Sequence, residues 1–178
     1  EAFLSITPNG EKESLIPLIR HYDNLIIIRS LTKLFGLAGL RLGYILGPVR
    51  KLKTFEKIRD PWPLNSFAIR AGISLLKDKD QYKRWTNKIH KWVKDEKTWF
   101  YDELLKINKL KVHKSSTNFF LIESKNSLNK SINYLAKRGI LIRECSSFRS
   151  LDDKWARISL QTHNKNKEIA LAIHKSFL

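Results

Sequence analysis

Residues 29–44 read Arg29-Ser30-Leu31-Thr32-Lys33-Leu34-Phe35-Gly36-Leu37-Ala38-Gly39-Leu40-Arg41-Leu42-Gly43-Tyr44. They gather two hydroxyls, a lysine and an arginine among glycines. At the end of a strand, where open α/β sheets place their ligands, Ser30, Thr32 and Arg41 have the chemistry to hold a phosphate. Hydroxyls and a guanidinium satisfy an anion that water no longer reaches. Lys33 then stands beside a phosphorylated ligand. In a dehydrated, positively charged pocket a lysine amine loses its proton more easily, and the neutral amine is the form that attacks an aldehyde.

The flanking sequence has to position that segment. Leu25 to Ile28 is a continuous apolar run, as a strand buried on both faces requires. Arg41 to Gly47 reads as a second strand, and Arg29 to Gly39 as the loop between them. Glu1 to Ile6 reads as the end of a strand, and no Met precedes it, so the sequence is expected to be part of a longer protein. Leu15, Ile16, Leu18 and Ile19 suggest a short helix. Pro61-Trp62-Pro63 separates two helical stretches, the second beginning near Asn65 or Ser66. Tyr82, Trp85, Ile89, Trp92, Val93, Trp99, Phe100 and Leu104 fall at helical spacing, predicting one long helix over 80–106. Beyond it the pattern gives strands at 110–113 and 118–122, a helix stopped by Gly139, strands at 140–143 and 156–160, and a final helix. That order describes a small α+β unit.

Composition narrows the classes. With 178 residues and 42% hydrophobic content the chain can bury a core. No apolar run approaches the length of a membrane span and nothing resembles a signal peptide, so a cytoplasmic address with no membrane partner is expected. Cys145 is the single cysteine, which leaves no intrachain disulfide and no zinc motif, and no metal is expected. The formal charge of +17 raises a nucleic-acid-binding module as one reading. Against it, 23 Lys and 11 Arg are spread along the whole chain with no arginine-rich arm and no zinc-finger spacing. A lysine-rich solvated surface is the expectation, with no nucleic-acid partner.

The Ser30-x-Thr32-Lys33 segment followed by Gly39-Leu40-Arg41-Leu42-Gly43-Tyr44 resembles the lysine signature of the class I and II aminotransferases, which depend on pyridoxal 5'-phosphate. The resemblance implies Lys33 as the Schiff-base lysine and Ser30, Thr32 and Arg41 as ligands of the cofactor phosphate. It implies an α/β fold: the C-terminal part of a fold type I large domain, three-layered αβα, plus a small α+β C-terminal domain. Residues 1–79 would be the remainder of the cofactor-binding domain, 80–106 the connecting helix and 107–178 the small domain. Glu1-Ala2-Phe3 resembles a strand end of this superfamily whose preceding Asp pairs with the pyridine nitrogen. Phe3 stands where many members carry a Tyr, and phenylalanine cannot make that residue's hydrogen bond.

Gly139 to Phe148 and Trp155 to Thr162 resemble the substrate edge of the branch containing histidinol-phosphate aminotransferase and threonine-phosphate decarboxylase. There Arg157, between Ala156 and Ile158, matches an arginine that grips the substrate's anionic group, and Arg143 matches a second one facing the same pocket. The implied substrate is a small phosphorylated amino acid or amino alcohol. Pro61-Trp62-Pro63-Leu64-Asn65 and Ile142 to Phe148 look more like the decarboxylase, which makes aminopropanol phosphate for cobalamin; the alternative is the aminotransferase. Resemblance further implies a homodimer for the complete protein, and little or no activity for these 178 residues alone.

Overall fold

A computed structural model describes residues 1–178, and the chain divides into two compact units, Glu1–Lys91 and Trp92–Leu178. In the first, the apolar run yields β1 (Ile27–Ser30), paired antiparallel with β2 (Gly43–Leu46) from Ile27↔Leu46 to Ser30↔Gly43. Burial on both faces is not what the run achieves. Ile27 is 3% exposed but Ile28, pointing to the other side, is 60% exposed, so one face of β1 is packed and the other is open.

The stretch expected as a loop is more ordered than that. Arg29 and Ser30 complete β1, α1 (Leu31–Phe35) follows at once, and Ala38–Leu40 forms a single 3-10 turn. Leu31 and Leu34 are both buried, and their spacing of three puts them on one side of a helical turn. Gly36 ends α1 at φ +65°, the left-handed conformation that glycine adopts without a Cβ penalty. Glu1 to Ile6 is likewise a turn and not a strand end, with Leu4–Ile6 in 3-10 conformation. Its buried residues, Ser5 and Ile6, are consecutive, which a turn permits and the alternating faces of a strand do not.

Helices follow where proline and asparagine allow them to start. α2 (Val49–Ile58) begins directly after Pro48, and α3 (Ser66–Lys77) is capped by Asn65, whose Oδ1 accepts the Ala68 amide at 2.9 Å. Ala68 joins Leu31 and Leu42 in the small core of this unit, with Phe35 and Leu40 packed around it. α4 (Lys79–Leu105) lies within a residue of the expected helix at each end and contributes residues to both units.

The second unit carries β3 (Leu110–Val112), β4 (Phe119–Ser124), α5 (Asn129–Ala136), β5 (Arg143–Glu144), β6 (Trp155–Ser159) and α6 (His163–Ser176). The strands form one antiparallel sheet in the order β3-β4-β6-β5. β4 and β6 alternate strictly: Phe120, Ile122, Ala156 and Ile158 point into a core with Phe100 and Leu104 of α4, Leu135 of α5 and Ile173 of α6. Phe119, Leu121 and Arg157 keep to the opposite, half-exposed face. The fifth strand is shorter and later than expected. Gly139, at φ +74°, turns the chain out of α5, and the Ile140 amide donates to the Leu135 carbonyl at 3.0 Å. That bond caps the helix and takes Ile140 out of the ladder.

Candidate functional site

Two groups of chemistry-bearing residues come together, one in each unit. In the first, the hydroxyls of Ser30 and Thr32 lie 2.7 Å apart across the junction of β1 and α1. Thr32 is buried and Ser30 half-buried. The next residue, Lys33, is exposed and makes no ion pair; its Nζ lies 5.2 Å from the centroid of the Phe3 ring. β2 has to pass close to hold this junction. A Cβ on Gly43 would stand 2.7 Å from the Arg29 carbonyl oxygen, so the glycine after Arg41-Leu42 serves strand pairing.

Arg41 is placed differently from the other three. It is exposed, with φ +52°, and its Nη1 donates to the Ala38 carbonyl at 2.9 Å. A non-glycine residue in that region is uncommon and carries strain. The guanidinium turns back on its own loop, while the backbone beside it is fastened by the Leu31 amide to the Leu42 carbonyl at 3.1 Å. Ser30 and Thr32 therefore meet, Lys33 follows them in the chain with its amine over Phe3, and Arg41 stands apart on its own loop.

In the second unit Arg143 and Arg157 are direct cross-strand partners on β5 and β6. Both line a cavity of about 430 Å³, together with Arg138 and Lys165. The one carboxylate on the wall, Glu168, is taken up by Lys165 at 2.7 Å. Arg143 donates to the Ser147 hydroxyl at 2.9 Å and lies over the Phe148 ring; Arg157 lies over the Phe119 ring at 5.0 Å. The Nε of Arg157 is buried with no hydrogen-bond partner. A buried donor left unmet costs about 1–3 kcal/mol, a cost that an accepting anion would remove. Asn118 Oδ1 is the other such atom. Like charges facing each other across a ladder are unfavourable, and an anion between them reverses that.

Arg138 and Lys165 were not singled out from the sequence, and nothing distinguishes them there from the other basic residues. Nor is Arg29 set apart by the sequence. It is 5% exposed and ion-paired to Glu1 and Glu11, partners far away in the chain that spacing cannot reveal. Cys145 is packed away, its thiol pushed up by burial.

A lysine next to a hydroxyl pair at a strand end has the chemistry to hold a phosphorylated aldehyde, and the two arginines of the other unit have the chemistry to hold anions. Comparison with known proteins gives the family. The family model of the class I and II aminotransferases matches residues 2–173, and the chain belongs to that family. The histidinol-phosphate aminotransferase of Methanocella arvoryzae is 33% identical over 93% of this chain and 43% of its own length. The structure of the histidinol-phosphate aminotransferase from Clostridium acetobutylicum superposes with a TM-score of 0.89 at 32% identity, over 98% of this chain and 52% of that one. L-threonine-O-3-phosphate decarboxylase from Porphyromonas gingivalis gives 0.80 at 30% identity, over 90% and 49%. The chain thus spans about half the length of the relatives it matches.

The expected fold, the C-terminal part of a fold type I large domain with a small α+β domain, is the one found. Pyridoxal 5'-phosphate is the cofactor that goes with this family. The residues present fit it: a hydroxyl pair for the phosphate and an amine with no carboxylate partner, three residues after one of those hydroxyls and next to the other. No helix is long and apolar enough to cross a membrane.

Proposed function

We propose that the complete protein is a pyridoxal-phosphate-dependent decarboxylase of L-threonine O-3-phosphate, releasing aminopropanol phosphate and carbon dioxide. The observation that carries this reading is the Arg143–Arg157 pair on one cavity wall. Threonine phosphate bears a carboxylate and a phosphate, and two guanidiniums answer two anions through charge-assisted, fork-shaped hydrogen bonds. When bound, the cofactor supplies an electron sink for the bond broken at the substrate's Cα. Ser30 and Thr32 would hold its phosphate through hydroxyl hydrogen bonds, with Arg41 contributing charge. Lys33 would provide the amine that holds its aldehyde carbon and, at Nζ, a group able to hold and return a proton.

Histidinol-phosphate aminotransferase is the second reading, favoured by the fit to the Clostridium acetobutylicum enzyme. Its phosphorylated substrate carries one anionic group, and the second arginine would then serve the carboxylate of an amino-acid donor. On either reading we place the protein in the cytoplasm as a homodimer, without a nucleic-acid partner. The experiment that separates them is incubation of the complete protein with threonine phosphate and no keto acid. Carbon dioxide and aminopropanol phosphate should appear. If turnover instead requires histidinol phosphate and 2-oxoglutarate, the decarboxylase reading is lost and the family cofactor chemistry stands.

A further inference from the structure

β1 reaches Arg29 one residue before the hydroxyl pair, and Arg29 is the most thoroughly engaged polar side chain of the first unit. Its Nε donates to Glu1 Oε2 at 2.8 Å, its Nη1 to Glu11 Oε1 at 2.7 Å, and its Nη2 to Glu11 Oε2 at 3.1 Å and Ser14 Oγ at 2.9 Å. Glu1 in turn accepts the Leu15 amide at 2.8 Å and the Ser14 hydroxyl at 3.1 Å, and its backbone nitrogen donates to the Ile28 carbonyl at 2.9 Å. The guanidinium is 6% exposed and the Glu1 carboxylate 15%.

Burying the Arg29 and Glu1 charges is costly, even with the Glu11 side chain 51% exposed, and apolar side chains of similar volume commonly serve a fold as well or better. What the cluster does accomplish is geometric. It ties the segment beginning at Glu1 to the end of β1 by one backbone and two side-chain attachments. Phe3, two residues along that segment, carries the ring that lies 5.2 Å from Lys33 Nζ. Lys33 is itself four residues beyond Arg29, at the other end of the same junction. The two sides of the lysine's surroundings are thus held at a fixed spacing by one guanidinium.

We infer that the Glu1–Arg29–Glu11 cluster is a positioning device for Lys33: it holds the Phe3 ring against the lysine amine, shielding it on one side and directing it toward a ligand seated on Ser30 and Thr32. The shielding stands on the geometry alone. The second half, the direction toward a ligand, rests on the cofactor reading above.

The test uses the complete protein and four variants: Glu1→Gln, Phe3→Leu, the double variant, and Arg29→Lys. One readout needs no cofactor, namely the rate at which sulfosuccinimidyl acetate acetylates Lys33, followed by peptide mass spectrometry. Glu1→Gln and Phe3→Leu should each speed acetylation about two- to fivefold, as expected for loss of a partly exposed cation–π contact. The double variant should label no faster than either single one, because Glu1 acts through Phe3. Arg29→Lys, which keeps the charge but cannot span both carboxylates, should fall between these and the wild type. The second readout is borohydride trapping of pyridoxal phosphate on Lys33, which should slow by a similar factor in the same variants. A lower melting temperature with unchanged Lys33 acetylation would overturn the inference, leaving the cluster a fold-holding contact only. So would additive effects in the double variant. If the acetylation pattern holds but the wild-type lysine traps no pyridoxal phosphate, the positioning device stands and the cofactor reading falls.

Discussion

The lysine cluster and the arginine pair are built by opposite means. Ser30, Thr32 and Lys33 are neighbours in sequence, brought together by a strand that turns straight into a helix. The core beneath them is small, formed by Leu31, Leu42 and Ala68, and a buried ion cluster fastens the adjoining segment. Arg143 and Arg157 belong to different strands and meet only because β5 and β6 pair in register, over a core drawn from α4, β3, β4, α5, β6 and α6. A covalent anchor can be set by local backbone geometry, but recognition of two anions needs a rigid sheet.

The sharpest way to break this comparison is to remove the anchor. Lys33→Ala should abolish turnover of threonine phosphate altogether, measured as carbon dioxide released, because the next lysine after Lys33 is Lys51. The second unit should register the change least: its folded structure, followed by near-ultraviolet circular dichroism, should be unaltered.

Next in size is the dependence of the arginine pair on its core. Phe120→Ala, at a side chain 1% exposed, should destabilise by about 3–5 kcal/mol, read as a shift in the urea midpoint. Leu31→Ala, in the smaller cluster, should cost less, near the lower end of roughly 2–5 kcal/mol. Equal losses would mean that the two cores are not as unequal as their packing indicates.

Substitution of Arg157 tests recognition without touching the anchor. Arg157→Ala should lower kcat/KM about ten- to a hundredfold, the equivalent of roughly 1.5–3 kcal/mol of charge-assisted hydrogen bonding. Pyridoxal phosphate trapping on Lys33 should be unchanged in this variant. Loss of trapping along with kcat/KM would show that the two groups are not independent.

The meeting of Ser30 and Thr32 beside Lys33 in the chain was legible in the sequence because these residues are contiguous. The long helix was legible for a related reason: eight apolar positions at one spacing leave a single reading. What stayed hidden depended on contacts between distant residues. α1 was missed because five residues are too few to establish a period. β5 was misplaced because its register is decided by the cap of α5 and not by its own alternation. Arg29 looked like one more basic residue because Glu1 and Glu11, the partners that bury it, approach only when the chain turns at Leu4–Ile6 and Gly10–Glu13.

A smaller effect concerns acid. Burial pushes the Glu1 carboxyl up, but the Leu15 amide, the Ser14 hydroxyl and the Arg29 guanidinium together outweigh it and hold the carboxyl below the usual carboxylate range. A lowered native pKa stabilises the fold at pH values above the unfolded carboxyl's range, and that contribution disappears as pH falls through the native value. The stability difference between wild type and Glu1→Gln, from urea melts, should therefore be full at neutral pH and close toward zero in acid. A difference that grows on acidification would contradict the ion-pair geometry.

The central claim is that Lys33 is the cofactor's attachment point, and the most direct measurement is to locate the attachment. The complete protein, incubated with pyridoxal phosphate and reduced with borohydride, should yield upon digestion one modified peptide carrying the pyridoxyl group on Lys33. Modification of a different lysine, with Lys33 left free, would contradict the account.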